Sequence, residues 1–456
     1  MSTLAKVVQK IKIGGRLVLL SPLLIGSGTE TEGRVNEVDT YVLKDKQEVP
    51  FIPGTSLAGV LRDYLYRRDQ KTGELLFGKI IPQSDGSHDL QSAVAVQDIH
   101  LENTKIALRD GVGIDDFTHM AKDGCKYDYE AVERGAEGTF SMEITLREFH
   151  AQQGQAIEDA IGALLYHLES GFMLGALTAK GFGRVCIQQL KAVKYDFHEK
   201  ADVIAWLLGR DSCTILKSRK EDADVSADMI IDADFALRSS LIIRDYVVDE
   251  QNNNAEDDKN KLSAIQKMSN GDYVIPGTSL KGVLRHQSAQ ILRRLGVVDT
   301  MLDDLMGYAE KEAKKKSRFY VEEIYINGGV KAVEQTRNRI DRFTGATIET
   351  ALFTTRPIWQ EKNQEATIRH FHYEIRGCKD WEAGLALFLL RDLWLGQVAI
   401  GGEKSVGRGT LQGIRADIDF KGQHYKLDKD GKVVYGDQSE LGRFAAALVS
   451  LKGAEQ

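Results

Sequence analysis

The chain contains no run of about 18 apolar residues, so no segment of it is expected to span a membrane. Its first 14 residues alternate lysine with valine and isoleucine and lack the unbroken apolar core of a signal peptide. Cysteine is scarce: four occur in 456 residues, Cys125, Cys186, Cys213 and Cys378. They lie far apart and form neither a CxxC pair nor a zinc spacing, which fits a reducing cytoplasm. The ten histidines form no HExxH motif, and His370 and His372 alternate on an expected strand, where they read as surface or packed residues. Positive charge is not in excess either, with a net charge of −7 and a pI near 5.9. Taken alone, that balance argues against nucleic acid. In a long chain, however, a local groove can be basic while the outer face is acidic. It also suits a subunit working inside a larger assembly. What the chain does have is enough apolar residue, 42 %, for real cores. At about 100–200 residues per domain, its length suggests two to four domains.

The chain repeats itself. Ile52-Pro53-Gly54-Thr55-Ser56-Leu57 recurs as Ile275-Pro276-Gly277-Thr278-Ser279-Leu280, an offset of 223, and each copy runs on to Gly-Val-Leu-Arg, ending at Arg62 and Arg285. Phe77-Gly78 has a looser counterpart in Met306-Gly307. Ile114-Asp115-Asp116-Phe117-Thr118 recurs as Ile340-Asp341-Arg342-Phe343-Thr344, an offset of 226. Leu174-Gly175 with Gly183-Arg184 recurs as Leu395-Gly396 with Gly407-Arg408, at offsets of 221 and 224. Chance matches would scatter; these keep their order and nearly one offset, which is the mark of duplication.

Each repeat reads as β-α-β-β-α-β. In the first, 10–20 is a strand, Leu57, Val60, Leu61, Tyr64 and Leu65 make a helical stripe, 94–100 and 140–146 are strands, 160–168 is a helix, and a glycine-rich turn leads into a strand at 185–193. Thr55 or Ser56 is the expected N-cap of the first helix. The second repeat follows with strands at 229–243, 319–326 and 368–375, helices from Ser279 and Trp381, and a strand after Arg408. The expected fold class is therefore α+β: two tandem ferredoxin-like domains with long insertions, on the plan of the common RNA recognition module, whose open sheet face receives single-stranded RNA. The expected division is 1–200 and 229–418 for the two domains, 201–228 for a linker and 419–456 for a C-terminal appendix with a hairpin and a short helix. The acidic, Asn-rich 250–261 reads as a loop inside the second repeat.

Four kinds of segment could do chemistry. The turn Lys180-Gly181-Phe182-Gly183-Arg184 and its counterpart with Lys404, Gly407 and Arg408 combine close-approaching glycine backbone with cations, as a phosphate contact requires; a plain helix-to-strand turn needing positive φ is the bland alternative. The helix starts at Pro53, Gly54, Thr55 and Ser56, and at Gly277, Thr278 and Ser279, offer N–H groups that favour an anion. Arg62 and Arg285 lie about two turns further in, and Lys281 is nearer the helix start, where the first copy has Ala58. The long irregular stretches 109–134 and 337–353 interleave cations and aromatics, among them Arg109, Phe117, His119, Arg337, Arg339, Arg342 and Phe343, which suits phosphate contact with base stacking. The loop 26–47 carries Asp39. A lone loop Asp is usually a turn residue, but aspartate can also hold a divalent cation against a phosphate.

Taken together, the glycine loop at Gly26-Ser27-Gly28, the downstream Asp39, the Ile-Pro-Gly-Thr-Ser-Leu-x-Gly-x-Leu-Arg segment, the Ile-Asp-x-Phe-Thr segment and the C-terminal glycine loop resemble the RAMP superfamily. More narrowly, they resemble the Cas-seven-type backbone subunits of type III CRISPR–Cas effector complexes, and a single chain with two such domains resembles the fused subunit of the III-D subtype. The resemblance implies a subunit that stacks along a CRISPR RNA beside other Cas backbone and large subunits, gripping RNA through the open sheet, Ser27, the Ile-Pro-Gly segment and the glycine loop. It implies thumbs at about 109–134 and 337–353 that wedge into the guide–target duplex. It also implies a loop Asp that supports metal-dependent cleavage of single-stranded target RNA, with Mg²⁺ (or Mn²⁺) and the 2′-hydroxyl as attacking group. In the first repeat that catalytic and metal-holding residue maps onto Asp39.

The second repeat departs from the pattern. Counting back from Pro276 by the same 14 residues reaches Leu262, and Gly26-Ser27 becomes Arg244-Asp245. Its acidic candidates are Asp245, Asp249, Asp257 and Asp258. Two alternatives stand beside the RNA-cutting backbone: a scaffold without catalysis, and a free-standing endonuclease that matures the guide precursor. The latter class relies on groups such as histidine, and His119 has only Gly345 opposite it. A non-nucleic-acid structural protein on the same fold is favoured only by the acidic pI.

Overall fold

A computed structural model describes residues 5–28, 38–79, 90–115, 121–212, 214–219, 228–245, 262–309 and 314–452. The chain divides into two compact units. The first comprises Met1–Thr178 with Phe182–Val225, the second Ala179–Gly181 with Ser226–Gln456.

The first unit runs β1 (Val7–Leu19), β2 (Phe51–Ile52), α1 (Gly54–Arg68), α2 (Gln70–Phe77), β3 (Val94–Val96), β4 (Ile99–Glu102), β5 (Ile106–Ile114), β6 (Ala121–Val132), β7 (Glu137–Arg147), α3 (Gly154–Ser170), β8 (Phe172–Met173), β9 (Arg184–Asp196), α4 (Lys200–Leu207) and β10 (Thr214–Leu216). Its main sheet is antiparallel, in the order β10-β9-β1-β7-β4-β2, with β3 added to β7 and β8 to β9. Alternation along β1 turns Ile11, Ile13 and Leu17 inward, where they meet Leu57, Leu61 and Leu65 of α1 and Ile161, Leu164 and Leu168 of α3 in one core. Each such fully buried leucine contributes about 1.5–3 kcal/mol of transfer free energy.

The second unit runs β11 (Met229–Leu237), β12 (Arg244–Asp245), β13 (Leu262–Gln266), β14 (Met268–Ser269), β15 (Asp272–Ile275), α5 (Gly277–Leu295), α6 (Asp299–Met306), β16 (Tyr308–Ala309), β17 (Lys314–Lys315), β18 (Phe319–Val321), β19 (Ile324–Ile326), β20 (Val330–Ala332), β21 (Gln335–Ile340), β22 (Thr347–Arg356), β23 (Ile358–Gln360), β24 (Ile368–Ile375), α7 (Asp380–Trp394), β25 (Leu411–Phe420), β26 (Gln423–Leu427), β27 (Val433–Tyr435) and α8 (Gln438–Val449). Its antiparallel main sheet has the order β18-β24-β11-β25-β26-β27. The architecture is α+β in both units.

Several expectations change. The strand at 94–100 is two strands, and the one at 229–243 ends at Leu237. Pro53, not Thr55 or Ser56, caps α1: its fixed φ of −60° suits the turn into the helix, and no side chain caps the end. The 201–228 segment is not a bare linker among its described residues. It supplies α4, whose Trp206 lies 4.5 Å under the Lys10 ammonium, and the edge strand β10. The tail after 418 is not an appendage. Strands β26 and β27 extend the main sheet, and Phe444 and Leu448 of α8 are fully buried in the second core. Phe444→Ala should therefore lower the unfolding free energy of the second unit by about 3–5 kcal/mol, read as a lower denaturant midpoint; an unchanged midpoint would mean the tail is dispensable.

Candidate nucleic-acid interface

Among their described residues, the stretches expected to be irregular form regular pairs of antiparallel strands. Strands β5 and β6 pair from Ile106↔Val132 to Ile114↔Ala121, and β21 and β22 from Gln335↔Thr355 to Ile340↔Thr347. Period-2 alternation gives the first hairpin an apolar, solvent-facing side, with Ile106, Leu108, Val112 and Ile114 exposed on one face; in the second, Ile340, Leu352 and Phe353 are exposed. At the tip of the second, Asp341 Oδ1 accepts the Phe343 and Thr344 backbone amides at 2.9 and 2.8 Å, a turn bond that holds its carboxyl below the usual range. The ring of Phe343 is 85 % exposed there, with the Arg342 guanidinium 5.1 Å from its centre. An exposed aromatic backed by a cation is what base stacking needs. Arg339 is also exposed on this hairpin. Phe117 and His119 lie outside the described residues.

Each hairpin is stitched at its base to the loop that follows the first strand of its unit. Leu23 exchanges both backbone hydrogen bonds with Val132, at 2.8 and 2.9 Å, and Leu241 does so with Ile358, at 2.9 Å each. Asp39 sits on this stitch. Its amide donates to the Asp128 carbonyl at 3.0 Å, and its carboxylate Oδ2 accepts the Asp128 amide at 2.7 Å. The loop aspartate is thus exposed but fixed in direction on β6, and the Lys126 ammonium lies 3.9 Å from Asp128 Oδ1. Ser27, whose amide donates to the Tyr41 carbonyl at 3.0 Å, belongs to the same loop.

On its other face the first hairpin is aromatic. Tyr127 lies over Gly111, where an added Cβ would come within 2.2 Å of the ring. Tyr127 stacks on Tyr129 at 5.8 Å, and Tyr129 meets Phe182 edge-on at 5.9 Å. Phe182 is 1 % exposed and Arg109 is buried on Glu133 at 2.9 Å. Both serve as internal anchors of the hairpin, contrary to the expectation that they face RNA.

The glycine loops show a register that sequence comparison missed. An added Cβ at Gly183 would lie 1.8 Å from the Leu174 carbonyl, and one at Gly409 would lie 1.8 Å from the Ile400 carbonyl. The amides of the two glycines donate to Pro22 and Ser240 carbonyls, each at 2.7 Å. Gly183 therefore corresponds to Gly409, Leu174-Gly175 to Ile400-Gly401, and Phe182 to Arg408. The earlier pairing with Gly407 and Leu395-Gly396 is out of register. Arg408 is 2 % exposed: it donates to Glu403 at 2.7 Å, Ser240 Oγ at 2.6 Å and Gln335 at 2.7 Å. It holds its own loop rather than offering a surface cation. Arg184 and Lys404 are exposed, as is Gly407.

The helix starts are also more occupied than expected. The Gly54 amide donates to Asp98 Oδ1 at 2.7 Å. Pro53 and Ser56 are half-buried and Thr55 exposed, while Gly277 is buried and Thr278 and Ser279 half-buried. Arg62 is exposed and donates to the Tyr66 hydroxyl at 2.9 Å. Lys281 is a buried strut, donating to Ser317 Oγ at 2.6 Å and the Phe319 carbonyl at 2.8 Å. Burial first, then the Lys180 and Arg285 charges, lower its pKa to about 7. Burial and Arg285 likewise lower that of Lys180, which with Gly181 belongs to the second unit. Arg285 is half-buried, donating to the Gly307 carbonyl at 2.8 Å and paired with Asp303.

A family model describing the RAMP superfamily matches residues 16–186 and 234–412, which is most of both units. The chain belongs to the RAMP superfamily. Its two matched regions are tandem copies within one chain, and this membership makes it a CRISPR-associated RNA-binding protein in general kind. No curated protein matches it. Among the described residues no helix is long and apolar enough to cross a membrane, and no group of three or more His, Cys, Asp or Glu side chains is arranged to hold a metal.

Away from the hairpins, the RAMP chain holds a half-buried histidine beside two carboxylates in its second sheet. Burial opposes charge on His372, yet Asp232 at 3.7 Å and Glu374 at 3.9 Å outweigh it and raise the pKa to about 9. Since the folded value lies above the unfolded one of about 6.5, this stabilisation is complete below about pH 6.5 and lost as pH rises through about 9. Thermal melts at pH 6 and 9.5 should show the second unit losing stability at the higher pH, with His372→Gln flattening that dependence; equal slopes for both proteins would refute the assignment.

Proposed function

We propose that this RAMP protein is a Cas-seven-type backbone subunit of a type III CRISPR–Cas effector complex, of the fused III-D kind, which holds CRISPR RNA and cuts the complementary target RNA at Asp39. The observation that carries the cutting site is the reciprocal bonding of Asp39 with Asp128, which fixes a carboxylate at the root of an exposed hairpin. The order β9-β1-β7 with β3 and β4 beyond it supports reading the unit as an elaborated ferredoxin-like domain. The two hairpins act as thumbs that enter the guide–target duplex, the exposed Phe343 ring stacking where a base pair opens.

The donor set suits a hard cation. Asp39 and Asp128 offer oxygens only, and Mg²⁺ (or Mn²⁺) commonly takes one or two carboxylates, leaving its other positions to phosphate and water. When bound, such a cation neutralises charge developing on the scissile phosphate. Asp39 supplies the fixed carboxylate, and the hairpin strips the neighbouring nucleotide from its stack so that the 2′ oxygen can align. That oxygen loses its proton and bonds to the adjacent phosphorus, while the bond to the 5′ oxygen breaks and the departing oxygen gains a proton. DNA, lacking the 2′-hydroxyl, is held but not cut.

In the assembled complex with guide, target RNA and Mg²⁺, Asp39→Ala should retain target binding and remove one product by at least about 100-fold in rate, as expected when a group acting on the reacting phosphate is lost. Survival of every product at parental rate would sink the catalytic role and leave an RNA-holding scaffold.

A further inference from the structure

At the second hairpin root, Asp245 lies 3.5 Å from the Lys267 ammonium, and Asp249, Asp257 and Asp258 lie outside the described residues. The two units also differ at the outer edge of their main sheets, where strand register matches them residue by residue. Counting runs from the stitch residues Leu23 and Leu241 on one strand, and from Gly183 and Gly409 on its neighbour. Ile13 pairs with Ala192 and Leu17 with Ile187, as Ile231 pairs with Ile418 and Phe235 with Gly413. The match therefore holds on both sides of the bulge in each sheet. On that register the pair Ile11 and Lys194 corresponds to Met229 and Phe420. The next strand out agrees: β10 sets Thr214 and Leu216 against Lys194 and Ala192, and β26 sets Gln423 and Tyr425 against Phe420 and Ile418. Lys194 stands where Phe420 does, and Leu216 where Tyr425 does.

In the second unit this corner is closed. Strand β27 pairs with β26, and α8 covers the corner. The Phe444 ring packs on Phe420 at 4.4 Å, and the Tyr425 hydroxyl donates to Glu440. An added Cβ at Gly384 of α7 would come 2.2 Å from the Phe444 carbonyl oxygen, so α8 lies directly on that helix. Phe444 and Leu448, one turn apart, are fully buried there.

In the first unit, among the described residues, the same corner is open. Strand β10 is the sheet edge, with Ile215 58 % exposed. Behind it lies a cavity of about 470 Å³ lined by Ile11, Leu146, Ile161, Gly162 and Leu216. The buried stripe Ala160, Ile161, Leu164, Leu165 and Leu168 of α3 has the spacing of Leu385, Ala386, Leu389, Leu390 and Leu393 in α7. Gly384 therefore falls on Asp159, and Gly162 is one turn further along the same face. Two of the cavity's three rim cations are already paired, Lys194 with Glu158 at 2.9 Å and Arg219 with Asp159 at 2.8 Å. An apolar floor inside a neutralised rim suits apolar side chains better than phosphate. The cavity also lies at the opposite end of β9 from Gly183, so whatever fills it leaves the hairpin root uncovered.

We infer that this corner of the first unit is a docking groove for an amphipathic helix of a partner protein, one that presents an aromatic residue and a leucine one turn apart as Phe444 and Leu448 do. The second repeat carries such a helix in its own chain; the first receives it from outside. A helix laid into an apolar groove and anchored at i and i+4 is a common mode of protein recognition.

The probe is a fluorescein-labelled peptide with the sequence of residues 437–452, titrated with the full chain and read by anisotropy. Saturable binding is expected. The same peptide carrying Phe444→Ala should bind about 30-fold more weakly, the loss typical of an interface anchor. Taking the ratio of two peptides removes the shared cost of ordering a short helix. In the chain, Gly162→Leu fills the groove and meets only the flexible Arg219 stem, 3.3 Å from the added Cβ. Ile215→Asp places a charge on the exposed edge of the same groove. Each variant should weaken the parental peptide at least about 10-fold. Circular dichroism establishes that the variants fold; should Gly162→Leu fail to fold, Ile215→Asp decides. Absence of saturable binding, or binding that a folded variant leaves unchanged, overturns the groove, the second result placing the peptide elsewhere, as on the seat of α8 in the second unit.

Discussion

The structure depends on a short backbone stitch between a loop and a hairpin. Leu23 with Val132, and Leu241 with Ile358, exchange paired hydrogen bonds that tie each hairpin to the strand-following loop of its own unit. A hairpin in isolation is marginal in water. Here its root is bonded on both sides, and its far end can leave the body of the protein with apolar side chains in solvent. The seating glycines, Gly183 and Gly409, complete the root, because any side chain there would collide with a carbonyl 1.8 Å from its Cβ.

From that shared frame the two repeats take different chemistry. In the first, the root is packed by aromatics, with Tyr127, Tyr129 and Phe182 in sequence against a glycine strip, and its outer edge carries a fixed carboxylate. In the second, Arg408 stands in the place of Phe182, and Glu403 and Gln335 accept from it and from Arg337. Aromatic packing is insensitive to salt, whereas a half-buried ionic network is partly screened by it. Duplication kept the backbone bonds and released the side chains, so the two hairpin roots carry different residues on the same frame.

The distribution of charge follows the same logic. A net charge of −7 does not describe the local surroundings of individual cations. Acids are spent on particular cations: Asp303 on Arg285, Glu133 on Arg109, Glu403 on three arginines. Several cations that look available in the sequence are internal. Lys281 and Arg408 satisfy buried oxygens, and their burial is visible only once the strands they bond to are in place.

The sequence by itself determined the duplication, the α+β class, most core strands and helices and the family, because each rests on local pattern: period-2 alternation, helical stripes and the Ile-Pro-Gly turn recur at nearly constant offset whatever the tertiary contacts. It also singled out Asp39 by its distance from that turn. Only the tertiary structure decided that 109–134 and 337–353 are hairpins, that the C-terminal strands and Phe444 complete the second core, and that Gly409 rather than Gly407 matches Gly183. An insertion shifts sequence spacing without shifting hydrogen-bond register, so Gly183 could be matched to Gly409 only through the Pro22 and Ser240 carbonyls that their amides bond. The chemistry of a residue type can be read from the chain; whether its charge faces water or a buried carbonyl is fixed by what folds against it.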